Sequence, residues 1–340
     1  MKRIAVVILN WNGKCLMERF LPSVVAFTPD EMAEIIVADN GSTDDSIPFL
    51  KANYPDIRII GFTENYGFAE GYNRALALLD HEYVVLLNSD VEVTPDWLTK
   101  AVKHLDAHPE IVALQPKICS EKEKNRFEYA GAAGGFIDLY GYPYCRGRVL
   151  NAIEYDSHQY DDPVEVLWAS GACMFIRLQV YKQAGGMDAY FFAHQEEIDL
   201  CWRLVSRGMK ICCFPDSVVF HVGGATLKME HPRKTFLNFR NNLLMVYKNI
   251  PRKYFRKVFI VRFFFDYLAA LQFLLKGYPG NAFAVWQARR DFDRQKKTYS
   301  AVRQQNLEKM ISPELPATVR RKSLIISFFL RRKRKYDELG

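Results

Sequence analysis

Apolar residues in the first ninety positions fall into two alternating patterns. Short, nearly unbroken apolar runs occur at Ile4–Leu9, Ile35–Ala38, Ile57–Ile60 and Tyr83–Leu87. Between them, apolar residues recur every three or four positions. Leu16, Phe20, Leu21, Val24 and Val25 follow the first run, Ile47 and Leu50 the second, and Tyr72–Leu79 the third. The first pattern is that of strands buried on both faces, the second that of helices burying one side. Their alternation predicts an α/β fold, a mostly parallel sheet with helices on both faces. Ser42 and Asp45 have the spacing of a capping box for the second helix. Ligands of such sheets sit beyond the carboxyl ends of the strands. The polar clusters at Asp39 and at Asn88-Ser89-Asp90 fall there.

The pattern changes after residue 119. Residues 119–165 are rich in Gly, Tyr and charge, as in Gly131-Ala132-Ala133-Gly134-Gly135, and predict a loop-rich insertion. Order resumes at Val166–Arg177, and a turn follows at Gly185-Gly186-Met187-Asp188. A helix is predicted from Glu196 to Ser206, with Gly208 near its C-cap, and then a strand over Met209–Phe214. Val258–Leu275 is 18 mostly apolar residues, interrupted by Arg262 and Asp266, which with Gln272 and Lys276 make a narrow polar stripe. A membrane span needs about 20 residues with few charges. Leu324–Leu330 is a shorter apolar run between Arg320-Arg321-Lys322 and Arg331-Arg332-Lys333-Arg334-Lys335. Both segments fit helices lying in a membrane interface without crossing it. The chain thus divides into an α/β part, residues 1–225, and a helical, basic, amphipathic part, residues 226–340. Removing residues 319–340 is expected to leave the α/β fold intact.

Composition narrows the class. With 49% hydrophobic and 25% charged residues in 340, the chain is globular, not disordered throughout, collagen-like or a disulfide scaffold. The net charge of +7 hides an asymmetry: residues 226–340 hold 26 Lys/Arg against 8 Asp/Glu. An acidic front and a basic, apolar rear suggest two jobs. The basic residues are interleaved with long aliphatic runs and no nucleic-acid motif occurs, so nucleic acid is not expected as a partner. Seven cysteines with no CxxC pair point to reduced thiols in a cytosolic compartment. Lys2-Arg3 before Ile4–Leu9 has the look of a signal peptide, but the apolar run is six residues long and ends in Asn10-Trp11-Asn12-Gly13. It reads as a buried first strand. The GxGxxG and GxxxxGK[ST] loops are both missing, which argues against NAD chemistry and ATP hydrolysis.

Several residues can carry chemistry. Asp39, at a strand end, can accept hydrogen bonds from a nucleobase or ribose, or can simply cap a turn. Asn65-Tyr66-Gly67-Phe68 is a Gly-bearing loop entering a helix. Asp90 can offer a carboxylate oxygen to a hard divalent cation shared with diphosphate oxygens, or end a strand. Glu196-Glu197-Ile198-Asp199 can supply a general base whose pKa is raised by like charges, or merely compensate a helix dipole. His221 can ligate a metal or serve structure.

Taken in order, the segments Ile4–Gly13, Val37–Ser46, Glu64–Phe68, Leu86–Asp90, Gly171–Arg177, Gly185–Asp188 and Glu196–Arg203 resemble glycosyltransferase family 2. Within it they resemble the rhamnosyltransferase-like enzymes of bacterial envelope polysaccharide assembly. The resemblance covers about residues 1–225. It implies a GT-A (Rossmann-like) fold, a nucleoside-diphosphate sugar donor, a divalent cation (Mg2+ or Mn2+) and inversion at the anomeric carbon. It implies donor binding by Asn10, Asp39, Asn65, Asn88 and Asp90, and metal binding by Asp90 and His221. Glu197 takes the position of the catalytic base, with Glu196 as the fallback. Two residues depart from the family pattern: Asn88 replaces the first Asp of the DxD motif, and Glu197 replaces the usual Asp. The QxxRW motif of processive synthases is absent, which implies transfer of a single sugar. The expected acceptor is a glycan or lipid-linked molecule, with the protein peripheral on the cytoplasmic face of an anionic membrane. The alternative is a non-catalytic sugar-nucleotide-binding or scaffold protein of the same fold.

Overall fold

The computed structural model describes residues 2–223 and 231–340. Its elements begin β1 (Ile4–Asn10), α1 (Lys14–Phe27), β2 (Ala33–Asp39), α2 (Ser46–Asn53), β3 (Arg58–Gly61), α3 (Gly67–Ala77), β4 (Tyr83–Asn88), β5 (Val91–Val93), α4 (Trp97–Ala107) and β6 (Ile111–Ser120). Then come β7 (Gly135–Asp138), β8 (Pro143–Cys145), β9 (Arg148–Val149), β10 (Ala152–Ile153), β11 (Val164–Glu165), β12 (Cys173–Arg177), α5 (Leu178–Gln183), α6 (Glu196–Ser206) and β13 (Lys210–His221). The C-terminal part adds α7 (Pro232–Asn249), α8 (Arg252–Leu275), α9 (Pro279–Gln295), α10 (Ser300–Glu308), β14 (Val319–Arg320) and α11 (Leu324–Phe329). Gly224 and the boundary expected at 225/226 lie outside the described residues.

The four apolar runs become β1 to β4, parallel in the order β3-β2-β1-β4. Alternate side chains serve opposite faces. Ile4, Val6 and Ile8 pack with Met17 and Leu21 of α1 and Trp97 and Leu98 of α4. Ala5 and Val7 pack with Tyr72 and Leu76 of α3 and Leu200 and Leu204 of α6. Each such side chain, buried, contributes about 1.5–3 kcal/mol, so both faces must be covered. Beyond β4 the expectation of a mostly parallel sheet holds for β6 and β13 but not for β5, β11 and β12. β12 runs antiparallel to both β4 and β6, β13 runs parallel to β6, and β5 and β11 run antiparallel to β13. The nine-stranded sheet is therefore mixed. β12 arrives from the 119–165 insertion, and an antiparallel neighbour needs no crossover helix.

Two local expectations are corrected. Ser42 does not cap α2: its hydroxyl accepts from the Asn12 N–H and the Asn10 amide. The Ser46 N–H is taken by the Asp44 carboxylate instead. Helix α3 starts five residues before the predicted Tyr72. The Asn65 side-chain Oδ1 accepts the Gly67 N–H at 2.8 Å, and the Phe192 backbone carbonyl accepts the Phe68 N–H at 2.6 Å. Those partners satisfy donors that a free helix end would leave open. Gly67 has φ +79°, and a Cβ there would meet the Phe192 carbonyl oxygen at 2.7 Å, so glycine is required.

The insertion is more ordered than its composition suggests. Its strands form a second, five-stranded sheet in the order β10-β9-β8-β7-β14, whose last strand comes from the far C-terminal part. The expectation that residues 319–340 are dispensable meets this directly. Leu324, Phe328 and Leu339 are buried, and the Leu324 N–H donates to the buried Asp138 carboxylate.

Helix α8 is 24 residues long and, by length and composition, apolar enough to cross a membrane. Its polarity is inverted relative to a water-facing helix. Arg262 and Asp266 are buried and bonded to one another, and Arg289 of α9 also binds Asp266. Arg262 further donates to the Tyr140 carbonyl and the Asn242 side chain. The opposite face, Ile260, Phe263, Phe264, Leu268, Leu271 and Leu275, is exposed, as are Phe283 and Trp286 of α9.

Candidate active site

The carboxyl ends of the parallel strands bring the predicted donor residues together. Pairing sets Asn10 beside Asp39 and Leu9 beside Asn88. Asn10 and Asp39 are buried. The Asn10 amide donates to the Asp39 carboxylate at 2.9 Å, and that carboxylate also accepts the Ser42 N–H at 3.0 Å. Asn10 Oδ1 is buried with no hydrogen-bond partner among the described residues. Asn12 locks the neighbouring loop by accepting from the Thr43 and Asp44 N–H groups. Asn65 stands apart in role: its carbonyl is held by Asn40 and by the start of α3.

Asn88 ends β4, Asp90 lies in the turn into β5, and β5 pairs with the end of β13, where His221 sits. His221 Nε2 is 3.1 Å from Asp90 Oδ1 and its Nδ1 is 3.3 Å from Glu128 Oε2. Asn88 Nδ2 lies 3.4 Å from His221 Nε2. All three titratable groups are buried. Burial opposes the His221 charge, but hydrogen bonds to Asp90 and Glu128 outweigh it and push its pKa up to about 10. Burial likewise opposes the Asp90 charge, but His221 and backbone N–H groups hold its carboxyl below the ordinary range. Glu128 is a site residue that sequence reading missed. It lies in the Gly-rich insertion, where neither periodicity nor spacing marks it, and the bridge of Phe127 to Cys119, with the Glu128 N–H on the Ile118 carbonyl, brings it to His221.

Among the described residues no group of three His, Cys, Asp or Glu side chains is arranged to hold an ion. The chemistry of Asp90 and His221 still fits a divalent cation. Asp90, a carboxylate kept ionised while buried, is one suitable donor; His221, held protonated between Asp90 and Glu128, becomes a second only on losing its proton, which a cation binding at Asp90 would favour. Mg2+ commonly takes one or two protein ligands and completes its shell with phosphate and water.

Helix α6 opens with Glu196 and Glu197, and the Glu197 side chain lies against Gly171, just before the Ala172 carbonyl that binds the Asn88 N–H. Glu196 is buried and Glu197 half-buried, and each has an Oε2 with no hydrogen-bond partner among the described residues. Burial pushes the Glu197 carboxyl up to about 7, against backbone N–H groups that lower it. Burial, with the charge of Glu197, raises Glu196 well above the usual range. Asp199, the third carboxylate, belongs to the framework: it is buried and bonded to Arg203, Lys248 and Asn249.

An α/β sheet whose parallel strands end in Asn10, Asp39 and Asn88, with an unpartnered acid at a helix start beside them, has the architecture of a GT-A-type transferase. The profile of glycosyl transferase family 2 matches residues 5–184, and the chain belongs to that family. Over 238 residues it is 26% identical to an N-acetylglucosaminyl-diphospho-decaprenol L-rhamnosyltransferase of Mycobacterium tuberculosis, covering 64% of this chain and 75% of that one. It is 23% identical to the rhamnosyltransferase WbbL of Escherichia coli over 263 residues, 74% of this chain and 93% of that one. Among solved structures it is similar in fold to GalNAc-T7 with UDP, GalNAc and Mn2+, at a TM-score of 0.58 and 17% identity. That match covers 72% of this chain, which spans about half (48%) of the length of GalNAc-T7.

Proposed function

We propose that the protein is a divalent-cation-dependent, inverting glycosyltransferase that moves one sugar from a nucleoside-diphosphate donor to a glycan or lipid-linked acceptor of the bacterial envelope. Rhamnose is the first sugar to test, since both curated relatives named above are rhamnosyltransferases. The observation that carries the reading is Glu197, a half-buried carboxyl with an unpartnered oxygen, poised to titrate near neutrality beside the ends of β4 and β12. A carboxylate in that state can take the proton of an acceptor hydroxyl as it attacks the anomeric carbon from the face opposite the diphosphate. Asn10 and Asp39 hold the nucleoside. Asp90 would hold the cation, with Asn88 at hand, and His221 would join it on giving up its proton. When bound, the cation neutralises charge on the departing diphosphate. Residues 1–225 form the transferase part and 226–340 a helical part that meets the cytoplasmic face of the membrane. The exposed apolar face of α8, flanked by Arg256, Lys257 and Lys276, supports that docking.

The test is a screen of purified protein against nucleoside-diphosphate sugars, rhamnose donors included, with Mg2+ or Mn2+ and a polyprenyl-diphosphate-linked acceptor. One donor should give a glycosylated product of inverted anomeric configuration, and EDTA should stop it. Donor binding with no transfer to any acceptor would favour the scaffold reading instead.

A further inference from the structure

The segment leading into α6 is held in an unusual conformation. Phe192, His194 and Gln195 have φ of +63°, +74° and +75°, a left-handed region that side chains other than glycine occupy at a cost. Three such residues within four positions persist only if their surroundings over-determine them. Here they do. The Tyr190 carbonyl accepts from Arg240 at 2.9 Å. The Phe191 carbonyl accepts from Arg240 and from Asn241 Nδ2, the latter at 2.9 Å. The Phe192 carbonyl takes the first N–H groups of α3. The Ala193 and His194 carbonyls accept from the same Asn241 amide at 2.9 and 2.8 Å. Asn242 Nδ2 then binds the Gln195 side chain at 3.0 Å. Every carbonyl from residue 190 to 194 is thus gripped, three of them sharing the two hydrogens of one buried amide. The Asn241 carbonyl is itself fixed by Arg240 Nε at 2.8 Å, so the amide cannot flip without losing that bond.

Asn241 touches none of the predicted donor or metal residues. What it holds is the path into α6, whose first two residues are Glu196 and Glu197. A helix start displaced by about 1 Å moves a general base out of reach of its proton. We propose that Asn241, flanked by Arg240 and Asn242, is a positioning residue that sets the register and burial of the Glu197 carboxylate. The proposal rests on the reading of Glu197 as the base, and it assigns part of the active-site framework to α7.

The experiment uses the full chain labelled with 13C at the glutamate carboxyl carbon, the Glu197 signal being assigned with Glu197→Gln. The wild-type signal should titrate near about 7. In Asn241→Ala the midpoint should fall by at least ~1 pH unit towards the ordinary carboxyl value of about 4.3 as water reaches the site. Transfer kcat should fall at least ~10-fold while donor KM stays within ~2-fold. An unchanged midpoint overturns the proposal, whether or not kcat and thermal stability fall together, because a merely structural role leaves Glu197 where it was. If the midpoint falls and no acceptor is glycosylated by either protein, Asn241 positions the carboxylate and the base reading fails alone. Should Asn241→Ala not fold, Asn242→Ala, which releases the Gln195 side chain together with the Gly141 carbonyl and Arg262, is read by the same midpoint.

Discussion

A group that takes a proton from a sugar hydroxyl must be ionised when the substrate arrives, yet basic enough to accept. Glu197 meets both needs because burial without a partner, not a neighbouring base, sets its affinity for protons. Transfer should therefore rise with pH through about 7 and level off above it, measured as kcat with saturating donor. The same burial has a cost in stability. A carboxyl whose pKa is higher folded than unfolded favours the fold while protonated, so stability should fall between about pH 4.5 and pH 7 as it ionises. Glu197→Gln should accordingly lose transfer by ~10²-fold or more. It should keep donor affinity and be more stable than wild type at pH 8, which calorimetry would show. An inactive variant that is also less stable would contradict the unpartnered acid. Asp90→Asn should lower transfer by ~10²-fold and abolish the response to added Mn2+, read by titrating the metal into both proteins. Asp39, Asp90 and His221 were legible in the sequence because each follows an apolar run and so had to lie at a strand end. Glu128 and Asn241 were not, since one lies in an insertion without periodicity and the other is a polar position inside a helix, where sequence marks neither direction nor partner.

Elements carry meaning through what they complete. β14 and the chain after it look like a detachable tail, because a basic stretch with one short apolar run has no strand pattern of its own. A two-residue strand is invisible to periodicity, and its existence depends on β7 being already in place. Deleting residues 319–340 removes four buried apolar side chains and the N–H that serves Asp138, so it should destabilise the protein by ~4 kcal/mol or more. A melting temperature unchanged by the deletion would show that the second sheet stands without its last strand. The inverted helix makes the opposite prediction. Phe264→Glu with Leu268→Glu changes only exposed positions of α8, so stability should stay within about 0.5 kcal/mol. Binding to phosphatidylglycerol vesicles should nevertheless fall several-fold in a flotation assay. The sequence did reveal the polar stripe of Arg262 and Asp266. It could not say that the stripe faces inward, because which side of a helix is buried depends on what packs against it.

On the scale of the whole molecule, the α/β alternation was legible, since strands buried on both faces advertise themselves. The antiparallel strands β5, β11 and β12 were not, because they are short runs whose direction is decided by distant connections. The charge division was visible in composition alone, and its consequence belongs to the whole chain. Each Lys or Arg near an anionic surface contributes about 1 kcal/mol, an attraction that fades within a Debye length. Vesicle binding should weaken steeply between 50 and ~500 mM salt and leave a residual apolar component, measured by sedimentation. Of the five tryptophans, Trp97, Trp168 and Trp202 are buried, whereas Trp11, beside the nucleoside residues, and Trp286, beside the exposed face of α8, are open to solvent. The molecule thus carries an exposed indole beside each of the two proposed binding surfaces. Quenchers can address them separately: brominated acyl chains should dim Trp286, and a bound nucleotide should alter Trp11. With each indole replaced by Phe in turn, the order in which the protein meets an added bilayer and an added nucleotide can be followed by fluorescence, with no dye attached.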